Sequence, residues 1–255
     1  MPDAYTVKVV PCLSDNYAYI IHSSQTGGTA LVDAPEADPI VSALRQEGWT
    51  LDTILITHHH DDHIQGIEQL RNEFDVTVIG HDRDRRRLPT LDREVADGST
   101  FDLCGMTASV IDVSGHTVGH IAYIIPGAAF TADSLMALGC GRVFEGTPPM
   151  MWASLQKLAC LPDSTLIYSG HEYTLANGEF ALTIEPDNAE LVDRMADIRE
   201  KRSGNLPTVP TTLALEKATN PFLRAALPEV KDRVGMANAS DAEVFAEIRK
   251  RKDRF

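Results

Sequence analysis

Four histidines and two aspartates crowd into THHHDDH, residues 57 to 63. Imidazole and carboxylate together suit a borderline divalent cation. The local supply exceeds one site, because a structural zinc takes four ligands and a catalytic zinc takes three from protein plus water. His58 and His60 alternate by two and would point the same way from extended backbone, while Asp62 and His63 belong to a turn entering a helix. Two ligand sets can therefore diverge from one short loop. Further donors stand in SGHTVGH (His116 and His120), FTADS (Asp133) and SGHEYT (His171). The spacing is not that of HExxH, where one helix turn holds both histidines on one zinc.

The elements around these motifs explain how they could meet. Short apolar or β-branched runs read as strands: YTVKVV, YAYII, TALVD, TILIT, VTVIG, SVIDV, IAYII and TLIYSG. Each ligand segment follows such a run, and open α/β sheets bind ligands beyond the carboxyl ends of their strands. Residues 38–48 are predicted helical, opened by Asp38 and Pro39. Residues 64–74 place Ile64, Ile67, Leu70 and Phe74 at helical spacing, and Thr147–Pro148 opens a helix to about Cys160. From about Tyr173 the strand runs stop. NAELVDRMADIREKR and DAEVFAEIRKRKDRF are helical in composition, the latter with a capping box at Ser240 and Glu243. The reading is an α/β chain with a catalytic domain at 1–172 and a small helical domain at 173–255.

Composition narrows the function. The 255 residues carry a net charge of −14, which disfavours nucleic acid and anionic membrane as partners. No run approaches the length of a membrane span, and the N-terminus lacks a basic region followed by an apolar core, so a cytoplasmic protein is expected. Cys12, Cys104, Cys140 and Cys160 are widely spaced without CxxC, so reduced thiols are expected. No coiled-coil or other assembly signature is present, and a monomer is expected.

In order, HxHxDH, GHTxGH, the Asp133 segment and GHEYT resemble the metallo-β-lactamase superfamily. PCLSDNYAYII, FTADSLMALGCGRVFEGTP, ATNPFLR and IRKRKDRF extend the resemblance over nearly the whole chain to its hydroxyacylglutathione hydrolase (glyoxalase II) branch. The resemblance implies a four-layered αβ/βα sandwich followed by a helical domain that completes the substrate site. It implies two divalent metal ions, zinc foremost, with iron or manganese also accommodated. His58, His60 and His116 would hold one ion, Asp62, His63 and His171 the other, and Asp133 both. A metal-bridging hydroxide would attack the thioester carbonyl of S-D-lactoylglutathione or a related S-(2-hydroxyacyl)glutathione, and Asp62 could also shuttle a proton.

Glutathione would lie against Arg142, Tyr173, Arg249 and Lys252, with Phe144 where some relatives carry tyrosine. His59 and His120 fall outside the family's ligand pattern, and packing or hydrogen bonding to ligands is expected of them. Cys140 reads as a small buried side chain, and DRDRRR at 82–87 as an exposed loop. Departures from the family pattern stand at Ala132 (FTADS for FTGDT), Ser114 (VSGHT for TPGHT) and Ala34–Pro35 (DAPEA for DPGEA). Ala132 is the most consequential, since glycine there would serve a positive φ. The rival readings are a glutathione persulfide dioxygenase using one iron, and a metal-dependent glutathione-binding protein without turnover.

Overall fold

The computed structural model describes residues 5–255; the first four residues of the N-terminal stretch and of the expected 1–172 domain lie outside the described residues. The chain forms two compact units, one running to Asp112 and including Gly119–Pro126, the other comprising Val113–Val118 and Gly127–Phe255.

In the first unit a six-stranded sheet is built from β1 (Thr6–Cys12), β2 (Asn16–His22), β3 (Thr29–Val32), β4 (Thr53–Leu55), β5 (Thr77–His81) and β6 (Arg93–Val95), in that order. β1 to β3 pair antiparallel and β3 to β6 parallel. The crossover between β3 and β4 is α1 (Ala37–Glu47), and that between β4 and β5 is α2 (Asp61–Ile64) with α3 (Ile67–Glu73). Parallel neighbours need such crossovers, and the helices bury one sheet face. That core gathers Ile20, Leu31 and Ile54 from the strands with Ile40, Leu44, Ile67 and Leu70 from the helices. β7 (Thr100–Leu103), β8 (Met106–Asp112) and β9 (Ile121–Ile125) form an antiparallel meander.

Two helix expectations need correction. Glu36 occupies the N-cap position of α1 without a side-chain capping bond, and Asp38 lies inside the first turn, where an acidic side chain complements the helix dipole. The single helix expected over 64–74 is two, interrupted at Gly66. A Cβ there would lie 2.9 Å from the Ala34 carbonyl oxygen, to which the Gly66 N–H donates at 2.9 Å. The backbone is pressed against the turn after β3, and the helix breaks to allow that approach.

The second unit holds β10 (Ala128–Ala132), a hairpin of β11 (Leu135–Met136) and β12 (Gly139–Cys140), α4 (Pro148–Ala159), β13 (Leu166–Ser169), α5 (Thr174–Ile184) and α6 (Ala189–Ser203). β14 (Thr211–Thr212), α7 (Leu213–Thr219), α8 (Pro228–Val234) and α9 (Asp241–Lys252) follow. β10 pairs parallel with β13, and β14 adds two antiparallel residues beyond Tyr173, where no strand was expected. Thr147 caps α4 by accepting from the Met150 N–H, and the Ser240–Glu243 capping box opens α9.

Leu138, in the β11–β12 turn, has φ of 57° and packs with Ala181, Leu191, Met195 and Ile198. The left-handed conformation costs a bulky residue roughly 1–2 kcal/mol, and burial of a leucine side chain contributes about 1.5–3 kcal/mol. A glycine would suit the turn but forfeit the anchor. Among the described residues, no helix is long and apolar enough to cross a membrane.

Candidate metal centre and substrate site

In the first unit the THHHDDH loop leaves β4 and enters α2, and one buried carboxylate organises it. Asp33, itself at φ 56°, accepts from the Thr57 N–H at 2.9 Å, the Thr57 hydroxyl at 2.8 Å and His63 Nδ1 at 2.8 Å. Since the Thr57 hydroxyl donates to Asp33, its oxygen accepts from His58 Nδ1 at 3.0 Å. Both imidazoles thus carry their proton on Nδ1 and present a lone pair on Nε2, the form a metal requires. His58 Nε2 lies 3.1 Å from His60 Nδ1. Donor atoms of Asp33, His58 and His63 lie within 4.8 Å of one another. Asn16 bonds the Asp62 carboxylate and carbonyl, each at 3.0 Å. His120 stacks on His58 with centroids 4.6 Å apart.

His59 turns to Asp84 (3.2 Å) and to Arg87 Nη1 (3.2 Å), and Asp84 also pairs with Arg87 Nη2 at 2.5 Å. The 82–87 segment is therefore more than an exposed loop: Arg83, Arg85 and Arg86 face solvent, but Asp84 is buried against the ligand loop. Gly119 admits it, since a Cβ there would lie 2.2 Å from the carboxyl carbon.

In the second unit His116, Asp133 and His171 are all buried. His116 Nε2 stands 3.4 Å and His171 Nε2 3.3 Å from Asp133 Oδ2, a convergence of imidazole and carboxylate with divalent-cation chemistry. The Arg142 carbonyl accepts from His116 Nδ1 at 2.8 Å, again leaving the Nε2 lone pair available. His171 stacks face to face on Tyr173, with centroids 4.7 Å apart. Ala132 has φ of 40°, the left-handed conformation for which glycine is suited. Ser114 ties its loop by donating to the Val118 carbonyl at 2.7 Å.

The residues assigned to substrate divide by exposure. Arg142, Phe144 and Tyr173 are exposed, and the Phe144 ring lies 5.2 Å from His116. Arg249 is buried, with its guanidinium donating to the Cys140 carbonyl at 2.8 Å and to Asp253 at 2.9–3.0 Å. Lys252 donates to the Ala176 carbonyl at 3.0 Å and stands over the rings of Phe180 and Phe255. Burial, and secondarily the charge of Arg249, brings its ammonium down to about 8. Cys140 is pushed up to about 11 by burial against the opposing effect of Arg249, so it is no activated nucleophile. Asp33, Thr57, Asn16 and Asp84 escaped the sequence reading. For Asp33 the available signal was a carboxylate directly after a buried strand.

Comparison with known proteins gives the family. Residues 14–171 match the metallo-beta-lactamase superfamily, and residues 172–255 match the hydroxyacylglutathione hydrolase C-terminus. The hydroxyacylglutathione hydrolase of Ruegeria pomeroyi is 60% identical over 98% of both chains, and that of Roseobacter denitrificans 56% over 98% of both. Among solved structures, ETHE1 from Myxococcus xanthus shares the fold at a TM-score of 0.69 and 24% identity, covering 96% of this chain and 90% of that one. The matches favour neither the dioxygenase nor the non-catalytic reading. The chain belongs to the hydroxyacylglutathione hydrolase family, within the metallo-β-lactamase superfamily.

Proposed function

We propose that this enzyme hydrolyses the thioester of S-(2-hydroxyacyl)glutathione, S-D-lactoylglutathione foremost, releasing glutathione and D-lactate in the second step of methylglyoxal detoxification. The observation that carries the reading is the 60% identity over 98% of both chains, an alignment long enough to span both matched regions, 14–171 and 172–255. In this reading residues 1–172 are the catalytic domain and residues 173–255 the helical glutathione-binding domain.

His58, His60 and His116 would hold one divalent ion, Asp62, His63 and His171 would hold a second, and Asp133 would serve both, with zinc the expected metal and iron or manganese compatible with the same donors. When bound, such an ion pair supplies hydroxide near neutral pH and stabilises charge developing on the thioester carbonyl. Asp33 keeps His58 and His63 in the tautomer that ligation requires. Asp62, steadied by Asn16, can also carry a proton between the reacting atoms and solvent.

Arg142 and Lys252 offer cations to the glutathione carboxylates, and Tyr173 a hydroxyl on an apolar ring. Phe144 contributes only apolar surface where some relatives carry a hydroxyl. Arg249 acts from beneath, holding the Cys140 carbonyl and Asp253. The enzyme works as a cytoplasmic monomer, without nucleic-acid or membrane partners.

The test is hydrolysis of S-D-lactoylglutathione by purified protein, with metal content determined on the same sample. Turnover with about two ions per chain is expected. No turnover despite two bound ions would overturn the assignment.

A further inference from the structure

The hairpin carrying Leu135–Cys140 owes much of its backbone pairing to the helices of its own unit. Four side chains from three helices bond five consecutive residues. Asn220, just after α7, donates to the carbonyls of Met136 (3.1 Å) and Gly139 (2.9 Å), and Asn177 of α5 donates to that of Ala137 (3.1 Å). Glu216 of α7 accepts from the Leu138 N–H (2.8 Å), and Arg249 of α9 donates to the Cys140 carbonyl (2.8 Å). Buried backbone polar groups must be paired, but a hairpin turn ordinarily pairs with itself. Here side chains distant in sequence specify its path.

The bonding side chains are themselves fully engaged. Glu216, wholly buried, is paired with Arg194 and accepts from Asn220 Nδ2 at 3.0 Å. Arg194 spends its other N–H groups on Thr211 (3.0 Å) and Thr219 (2.6 Å). A buried ion pair is weak evidence for stability, since apolar replacements often serve as well. A fully satisfied polar network does rigidify what it touches.

What it touches is the segment between three groups of the site. Asp133 lies at one end and Arg142 at the other, and the Arg142 carbonyl orients His116. The loop closes tightly: the Gly141 N–H donates to the Ser134 carbonyl at 3.2 Å, and a Cβ on Gly141 would lie 2.0 Å from the Asp133 carbonyl oxygen. Little slack separates the hairpin path from the positions of Asp133 and His116.

We infer that Asn220, Glu216 and Asn177 are positioning residues, a buried mould that fixes residues 136–140 and through them Asp133, His116 and the Arg142 side chain. The inference rests on the assignment of those three to metal and substrate. It gives the C-terminal helices a task at the metal centre in addition to glutathione binding.

The test compares Asn220→Ala, Asn177→Ala and Val230→Ala with the parent in the full-length, zinc-loaded protein. Val230 is buried in α8 and serves as a control for lost core stability. Hydrolysis of S-D-lactoylglutathione is measured per folded molecule, zinc affinity by competition with a chromophoric chelator, and exchange of the Leu138 amide hydrogen by NMR. Asn220→Ala should lower zinc affinity and kcat/KM by roughly 10- to 100-fold, as misplacement of ligands by a fraction of an ångström does. It should also speed the exchange of Leu138. Asn177→Ala, missing one bond, should act in the same direction more weakly and decides the matter if Asn220→Ala does not fold. Val230→Ala should change only the melting temperature. A lowered melting temperature with zinc affinity and kcat/KM as in the parent would overturn the mould. A parent that binds zinc without hydrolysing the thioester would instead overturn the functional reading, and the zinc and exchange measurements would still judge the mould.

Discussion

The two units solve the same problem, presenting imidazole lone pairs, by different means. In the first, the donors are nearly consecutive, and a single buried carboxylate, Asp33, sets the tautomers of His58 and His63. In the second, His116, Asp133 and His171 come from separate segments; a backbone carbonyl orients His116, and side chains of α7 and its C-cap bond the hairpin that follows Asp133. A contiguous motif needs one anchor. A dispersed one needs its unit folded before any donor is in place.

That contrast can be broken experimentally. His58→Ala and His116→Ala remove a donor from each unit, and both should reduce turnover to background with loss of bound metal; a variant retaining full activity would remove its residue from the ligand set. Asp33→Asn comes next. It keeps the shape but disrupts the acceptor arrangement, and zinc affinity should fall roughly 10- to 100-fold. An unchanged affinity would show that the first unit does not depend on its single anchor.

A smaller effect is expected from pH at Lys252. Its ammonium, ordinarily at 10.5, is brought down to about 8 mainly by burial, so the charge is present below that pH and lost above it. KM for the anionic substrate should rise several-fold as pH passes from about 7 to about 9. Lys252→Arg, charged throughout, should flatten that rise; the same rise in both proteins would put its cause elsewhere. The smallest change is Ala132→Gly. Relief of a left-handed alanine, partly offset by the backbone entropy of glycine, should raise stability by less than about 1 kcal/mol, read as a small increase in melting temperature. A decrease would mean that the strain at φ 40° is repaid by contacts of the Ala132 methyl group.

The candidate ligands were legible as candidates because residue type carries their chemistry: histidine and aspartate just past strand ends form a pattern few other purposes explain. Thr147–Pro148 and Ser240–Glu243 were legible because caps are local. Asp33 was not, since nothing in DAPEA tells which side chains its carboxylate will meet once β3 and β4 lie side by side. The break at Gly66 depends on the Ala34 carbonyl, far earlier in the chain, and the β11–β12 hairpin on side chains from three helices. Asp84 was hidden by its basic neighbours, whose composition describes the exposed side of the segment and misses the one residue that turns inward.

The four thiols offer a practical handle. Cys12, Cys104 and Cys140 are each pushed up to about 11 or 12 chiefly by burial, while Cys160 stands exposed at the end of α4. A maleimide dye at neutral pH should therefore find one address on the native protein, and labelling of a second cysteine would announce local unfolding before activity is lost.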